Sequence, residues 1–183
     1  MGVDHRRLIE ILGTFTETQE APYPGWPDRY PGHRAMGYFC TYVPEEIIHA
    51  AGFVPVRIRS GKETPSCADA HLQSYTCGLC RSALDQALRG DLIFLQGVVF
   101  PHTCDTFQAL TDIWRMSFPD LYVETIVQPV NLSSPNTRPY LIAELQRFRH
   151  SLEEFIGQEI SDQAITVSIE SYNEKRRLLA QLY

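Results

Sequence analysis

Short apolar runs alternate with helix-like segments along most of this chain. That alternation predicts an α/β fold: a Rossmann-like, mainly parallel sheet of about four strands flanked by helices, with more helices at the C-terminal end. Residues 3–18 carry Leu8, Ile9, Ile11, Leu12 and Phe15 at helical spacing and predict a first helix. Residues 21–32 hold Pro22, Pro24, Pro27 and Pro31, which predict an extended connector. Residues 35–41 read as a buried strand. Pro44 then suits a first helical turn, Glu45 and Glu46 favour its dipole, and Gly52 closes the helix. A second strand follows over 53–58, with Val54, Val56 and Ile58 alternating, then a loop over 60–69 and a helix over 82–88 stopped by Gly90. The remaining expectations are strands at 98–100 and 122–127 and helices at 106–116, 139–156 and 161–182. The whole chain, 1–183, reads as one α/β domain: helix and connector over 1–34, core over 35–130, closing helices over 136–183.

Composition narrows the class. Hydrophobic residues make up 44% of the chain and charged ones 21%, enough for a real core. The net charge of -6 argues against a nucleic-acid partner, which demands a basic face. No apolar run approaches the roughly 18 residues that cross a bilayer, so no membrane partner is expected. The first residues lack an apolar signal core, and Arg6 stands where myristoylation after Gly2 needs Ser or Thr. A cytoplasmic location is expected. There, an odd five cysteines read as reduced, metal-bound or catalytic, not disulfide-paired.

Three of those cysteines sit between an apolar or aromatic run and a helix-like start: Cys40, Cys77 and Cys104. Ligands of open α/β sheets collect at the carboxyl ends of the strands, so cysteines delivered there from distant parts of the chain can converge on a metal. Cys104 follows a strand, precedes a helix N-terminus that favours a thiolate, and is flanked by His102, Thr103 and Asp105. Cys77 and Cys80 form a C-x-x-C pair, which fits half a zinc site, a redox pair, or a cluster ligand beside a bystander. No second C-x-x-C completes a zinc ribbon, and residues 72–76 are too polar for a thioredoxin-like strand. Cys67 reads as a small buried hydrophobe.

Among the other polar residues, His49 reads as packing or surface, and His71 and His102 as hydrogen-bonding neighbours of the cysteine loops. Glu45 and Glu46 read as helix-start carboxylates. Arg57 and Arg59 leave two readings open, contact with an anionic ligand or simple solvation. No dinucleotide, phosphate-loop or nucleophile-elbow motif is present.

The segment Gly37-Tyr38-Phe39-Cys40-Thr41-Tyr42-Val43-Pro44-Glu45-Glu46 and its continuation to Arg57 resembles the opening signature of the 2-hydroxyacyl-CoA dehydratase and benzoyl-CoA reductase family. Two further segments agree in order: Ala68 to Cys77 with Arg81-Ser82, and Val98 to Asp105 with Leu110 and Trp114. Tyr172 to Arg177 in the closing helix is similar too. The resemblance implies a subunit with a 4Fe-4S cluster, acting on an acyl-CoA thioester beside a paralogous second subunit. A separate ATP-dependent iron–sulfur activator protein would inject single electrons. In dehydratases the electron makes a ketyl from the thioester and lets an unactivated hydroxyl leave; in reductases electrons enter an aromatic ring. The cofactor carries the hard chemistry, and the protein orients and excludes water.

Carried over by position, Cys77 and Cys104 are cluster ligands and Cys40 is the third; catalytic residues remain unassigned. Cys80 occupies a position that is not usually cysteine in the family. Family subunits are about twice as long, so the chain matches an N-terminal half, with the other half of the site supplied by a missing C-terminal half or another chain. Two alternatives accompany this reading: a double-cubane-type reductase of small molecules, which Cys67 and Cys80 would favour, and a non-catalytic metal-binding partner subunit.

Overall fold

The computed structural model describes Tyr23, residues 25–39 and residues 41–181. It divides into two compact units, residues 1–32 and residues 33–183. The helix expected over 3–18 lies outside the described residues. Within the proline-rich stretch, expected as an extended connector, a one-turn helix α1 (Trp26–Arg29) forms instead. Gly25 enters it with φ 75°, and Pro27 lies in its first turn, where a missing N–H leaves no bond unmade. The Trp26 and Tyr30 rings pack 4.5 Å apart across that turn.

The second unit runs β1 (Ala35–Tyr38), α2 (Glu45–Ala50), β2 (Val54–Arg57), a 3-10 turn (Ala68–Ala70), α3 (Gly78–Leu88), β3 (Leu95–Pro101), α4 (Asp105–Ser117), β4 (Tyr122–Ile126), α5 (Thr137–Ile156) and α6 (Asp162–Ala180). The sheet order is β2-β1-β3-β4, and every neighbouring pair is parallel. This is the α/β arrangement that the strand–helix alternation predicts.

The two central strands are buried almost throughout, as parallel strands covered on both faces must be. Their side chains alternate between two layers. Val99 joins Met36, Ile126 and Ile48 in a cluster with Phe148 and Leu152 of α5. Phe100 points the other way, into a ring group with Phe39, Phe107 and Trp114 at centroid distances of 4.9–6.5 Å. The order explains the layering. From β1 the chain steps outward to β2, then returns past β1 to β3 and β4, and right-handed crossovers in opposite directions put helices on opposite faces.

Several boundaries differ from those expected. β3 starts at Leu95, so Gly97 lies inside it and does not break it. A Cβ there would stand 2.7 Å from both Met36 Sδ and Tyr122 O, so only glycine lets β1, β3 and β4 close. α3 starts at Gly78, four residues before the periodic apolar run, and so takes in the C-x-x-C pair. Pro44 caps α2 from an extended conformation (ψ 91°) instead of entering its first turn. The loop over 60–69 ends in the 3-10 turn. Among the described residues no helix is long and apolar enough to cross a membrane.

Candidate functional site at the carboxyl edge of the sheet

Crossover helices run antiparallel to the strands they connect, so strand carboxyl ends and helix N-termini share one edge. The strand order reverses between β1 and β3, which opens a crevice at that edge. Cys104 is the N-cap of α4, directly after β3, and Cys77 is the N-cap of α3. Neither side chain makes a capping hydrogen bond, and both thiols are exposed.

Cys80, one turn into α3 from Cys77, is 1% exposed. Burial pushes its thiol up to about 12, helped by the charge of Cys77, a hydrogen bond with it, and the charge of Cys104. Cys77 and Cys104 thus both stand at helix N-termini on the carboxyl edge of the sheet, with Cys80 buried one turn behind Cys77. Cys40, the third expected ligand, lies outside the described residues; the residue before it, Phe39, donates its N–H to Val99 O at 3.3 Å. Among the described residues, no three His, Cys, Asp or Glu side chains are disposed to hold a metal ion.

The approach to Cys77 is held by polar side chains on α3. Asp85, 2% exposed, accepts from the N–H groups of Ser66 and Cys67 (both 2.7 Å) and Ala68 (3.1 Å). Arg81 binds Asp69 Oδ1 through Nε (3.1 Å) and Ser74 O through Nη1 (3.2 Å). Gln86, also buried, donates to Arg59 O at 2.9 Å. These contacts turn the backbone of 66–68 inward and leave the Cys67 side chain outside, so Cys67 is exposed and not the buried hydrophobe expected. His71 and Asp105 line a crevice of about 360 Å³ between the segment before Cys77 and the first turns of α4. The backbone N–H of His102 is fixed to Ile126 O at 2.8 Å, beside the loop to Cys104.

A second cleft, of about 610 Å³, opens at the carboxyl ends of β1 and β2. Arg57, Arg59, Lys175, Arg176, Glu45 and Tyr172 are among the residues that line it. Lys175 Nζ donates to Glu45 at 3.0 Å, and Arg176 pairs with Glu46. The helix-start carboxylates of α2 therefore also anchor α6. Tyr38 donates to Glu45, and burial and that carboxylate push its hydroxyl far above the ordinary phenol value. Tyr172 is pushed up to about 12, by burial first and then by Glu45 and Glu46. His49 meets Ser168 Oγ at 2.8 Å, a packing role between α2 and α6. Sequence reasoning missed Lys175 and Arg176 as partners of this edge. Their signal was the helical spacing of Tyr172, Lys175, Arg176 and Leu179, which gives one face of α6.

Residues 40–183 match the family described as 2-hydroxyglutaryl-CoA dehydratase, D-component. The chain is 36% identical over 160 residues to a benzoyl-CoA reductase subunit of Thauera aromatica, covering 86% of this chain and 42% of that one. It is 30% identical to the beta subunit of lactoyl-CoA dehydratase of Anaerotignum propionicum, over 96% of this chain and 47% of the relative. Against the beta subunit of (R)-2-hydroxyglutaryl-CoA dehydratase of Acidaminococcus fermentans the identity is 28%, over 79% and 39%. The chain thus spans less than half the length of these curated relatives. With its parallel sheet, its N-capping cysteines and a family match running from Cys40 to the last residue, the chain belongs to the 2-hydroxyglutaryl-CoA dehydratase D-component family.

Proposed function

We propose that this chain is the iron–sulfur half of a subunit in an ATP-activated 2-hydroxyacyl-CoA dehydratase or benzoyl-CoA reductase-type enzyme. The observation that carries the reading is the pair of exposed thiols on the N-caps of α3 and α4, the latter directly after β3 at the carboxyl edge of the sheet. Soft thiolates at helix N-termini fit iron–sulfur ligation. Cys77 and Cys104 would hold a 4Fe-4S cluster, and Cys40, two residues beyond β1, would be the third ligand. When bound, the cluster supplies single electrons to an acyl-CoA thioester.

The chain's own residues do the rest. Asp85 and Arg81 fix the loop that delivers Cys77, and the His102 backbone bond fixes the loop that delivers Cys104. Cys80 stays protonated and buried behind them as packing. A paralogous subunit and an ATP-dependent activator complete the machinery in this reading, as does the length that the relatives have and this chain lacks.

Anaerobic reconstitution followed by iron and acid-labile sulfide analysis tests the proposal. About four irons and four sulfides per site are expected, with loss in Cys77→Ala, Cys104→Ala and Cys40→Ala and no change in Cys67→Ala. About eight irons would instead favour the double-cubane reductase, and zinc alone the non-catalytic partner. Absence of iron under strictly anaerobic conditions would remove the basis of both enzyme readings.

A further inference from the structure

Cluster ligation uses one half of the C-x-x-C motif and leaves Cys80 behind as packing. The pair has a second use in the chain without metal. Cys77 is the N-cap of α3 and Cys80 stands in the first turn, which the Arg81 N–H closes by donating to Cys77 O at 3.1 Å. Helix geometry sets Cα atoms three residues apart about 5 Å from each other. That lies inside the roughly 4.4–6.8 Å that a disulfide spans. A hydrogen bond already links the two thiols, Cys77 on the exposed side and Cys80 on the buried side.

The surroundings let one sulfur be reached and the other wait behind it. The Cys77 side chain makes no capping hydrogen bond, so turning it toward Cys80 breaks none of the helix's own bonds. A Cβ on Gly78 would meet nothing within 4 Å, which leaves the space beside Cys77 open to a small molecule. On the other side, Thr76 lines the crevice of about 360 Å³ that His71 and Asp105 share. The backbone there is fixed, with the Thr76 N–H on Gln73 O at 2.9 Å and Arg81 on Asp69 and Ser74. Cys67 is tied by its N–H to Asp85 ahead of the 3-10 turn, and Cys104 caps a different helix, so neither shares the first turn of α3.

We propose that Cys77 and Cys80 form a reversible disulfide in the metal-free chain, by exchange with a small-molecule disulfide, and that this bond withholds Cys77 from metal until a thiol reduces it. Cys77 Sγ attacks one sulfur of the small disulfide, forming a mixed disulfide and releasing one thiol. Cys80 Sγ then attacks Cys77 Sγ, which forms the internal bond and releases the second thiol. Two electrons pass from the cysteine pair to the small disulfide, and the two cysteine protons end on the released thiols. Burial holds the Cys80 proton and slows the closing step; placing both sulfurs in one turn offsets this, because an intramolecular step runs at a high effective concentration. The bond also keeps Cys77 off the irreversible steps of thiol oxidation. Its role in withholding a cluster ligand rests on the reading of Cys77 above; the disulfide itself does not.

Equilibrating the full metal-free chain in glutathione buffers of rising oxidised fraction tests the proposal, with acid quenching, alkylation in urea and peptide mapping. Two of the five cysteines should escape alkylation. Cleavage after Tyr75 should place both in the peptide that carries Cys77 and Cys80, and dithiothreitol should restore them. Cys80→Ala should stop at the mixed disulfide on Cys77, Cys77→Ala should leave Cys80 a thiol at every ratio, and Cys67→Ala should change nothing. Thermal melts establish that each variant is folded, and the mapping of the parent chain needs no variant. Cadmium ion alone, a soft probe of thiolates, should bind the oxidised chain at least roughly tenfold more weakly than the reduced one, since even losing a partner that supports a metal ligand costs that much. A bond from Cys77 to any other cysteine, or five free thiols at every ratio, overturns the disulfide. Equal cadmium binding by the two forms overturns the withholding. None of these readouts uses iron: a chain that forms the disulfide yet takes up no cluster after reduction supports the disulfide and refutes the cluster reading alone.

Discussion

Asp85 gathers three backbone N–H groups onto one buried carboxylate oxygen, with Arg89 Nη1 3.3 Å from the other. Burial by itself raises the pKa of such a group; the three N–H bonds and Arg89 outweigh it, and the net direction is down. A lowered folded value means that the stabilisation is complete above the ordinary carboxylate value of about 4 and is lost as pH falls through the lowered one. Asp85→Ala should cost roughly 3 kcal/mol in urea unfolding at pH 7, because it strands buried donors. Asp85→Asn keeps an acceptor but loses the charge. The gap between it and the parent chain should hold steady from pH 7 to about 5 and narrow below about 4; a gap that stays constant down to pH 2 would contradict this account. None of this was legible in the sequence. Ser82, Asp85 and Gln86 look like a solvated helix face, yet all three are buried against the 59–68 loop, because that long loop needs acceptors and donors for its own backbone.

At the scale of elements, periodicity was a good guide wherever burial is two-sided or amphipathic. The apolar cores of β1, β3 and β4, and α4 with Phe107, Leu110 and Trp114 on one face, fall where the pattern puts them. It failed where polar or small residues take part in an element. The strand expected at 98–100 stops short of Gly97, yet close strand packing requires that glycine inside β3; Gly78 and the cysteines hide the first turn of α3, which carries no periodic apolar run. Gly97→Ala should therefore lower stability by roughly 1–3 kcal/mol, through a methyl that meets backbone as well as side chain. Circular dichroism melts would show it, and an unchanged melting temperature would refute the packing argument. The salt bridges joining α2 and α6 are half-exposed on the cationic side and should matter far less. Glu46→Gln is expected to change stability by under about 1 kcal/mol.

For the whole molecule, the strand order decides what the cysteines can do. Cys77 and Cys104 stand at junctions, as the sequence suggested, but the sequence did not show that Cys80 is buried or that Cys67 faces solvent. Alkylation of the metal-free chain should label Cys67, Cys77 and Cys104 without denaturant, whereas Cys80 should react only as urea unfolds the domain. Peptide mass mapping across the transition would reveal any early labelling of Cys80, which would mean that α3 opens locally. The central pair β1–β3 joins Gly37 to Val98 across several intervening elements, and such distant parallel pairings close late because a long loop must be ordered first. The crevice between those strands has no local precursor. During synthesis Cys40 and Cys77 leave the ribosome well before β3 exists, so these thiols wait in an unfinished chain. Any cofactor that needs Cys104 beside them can be inserted only after the sheet has closed.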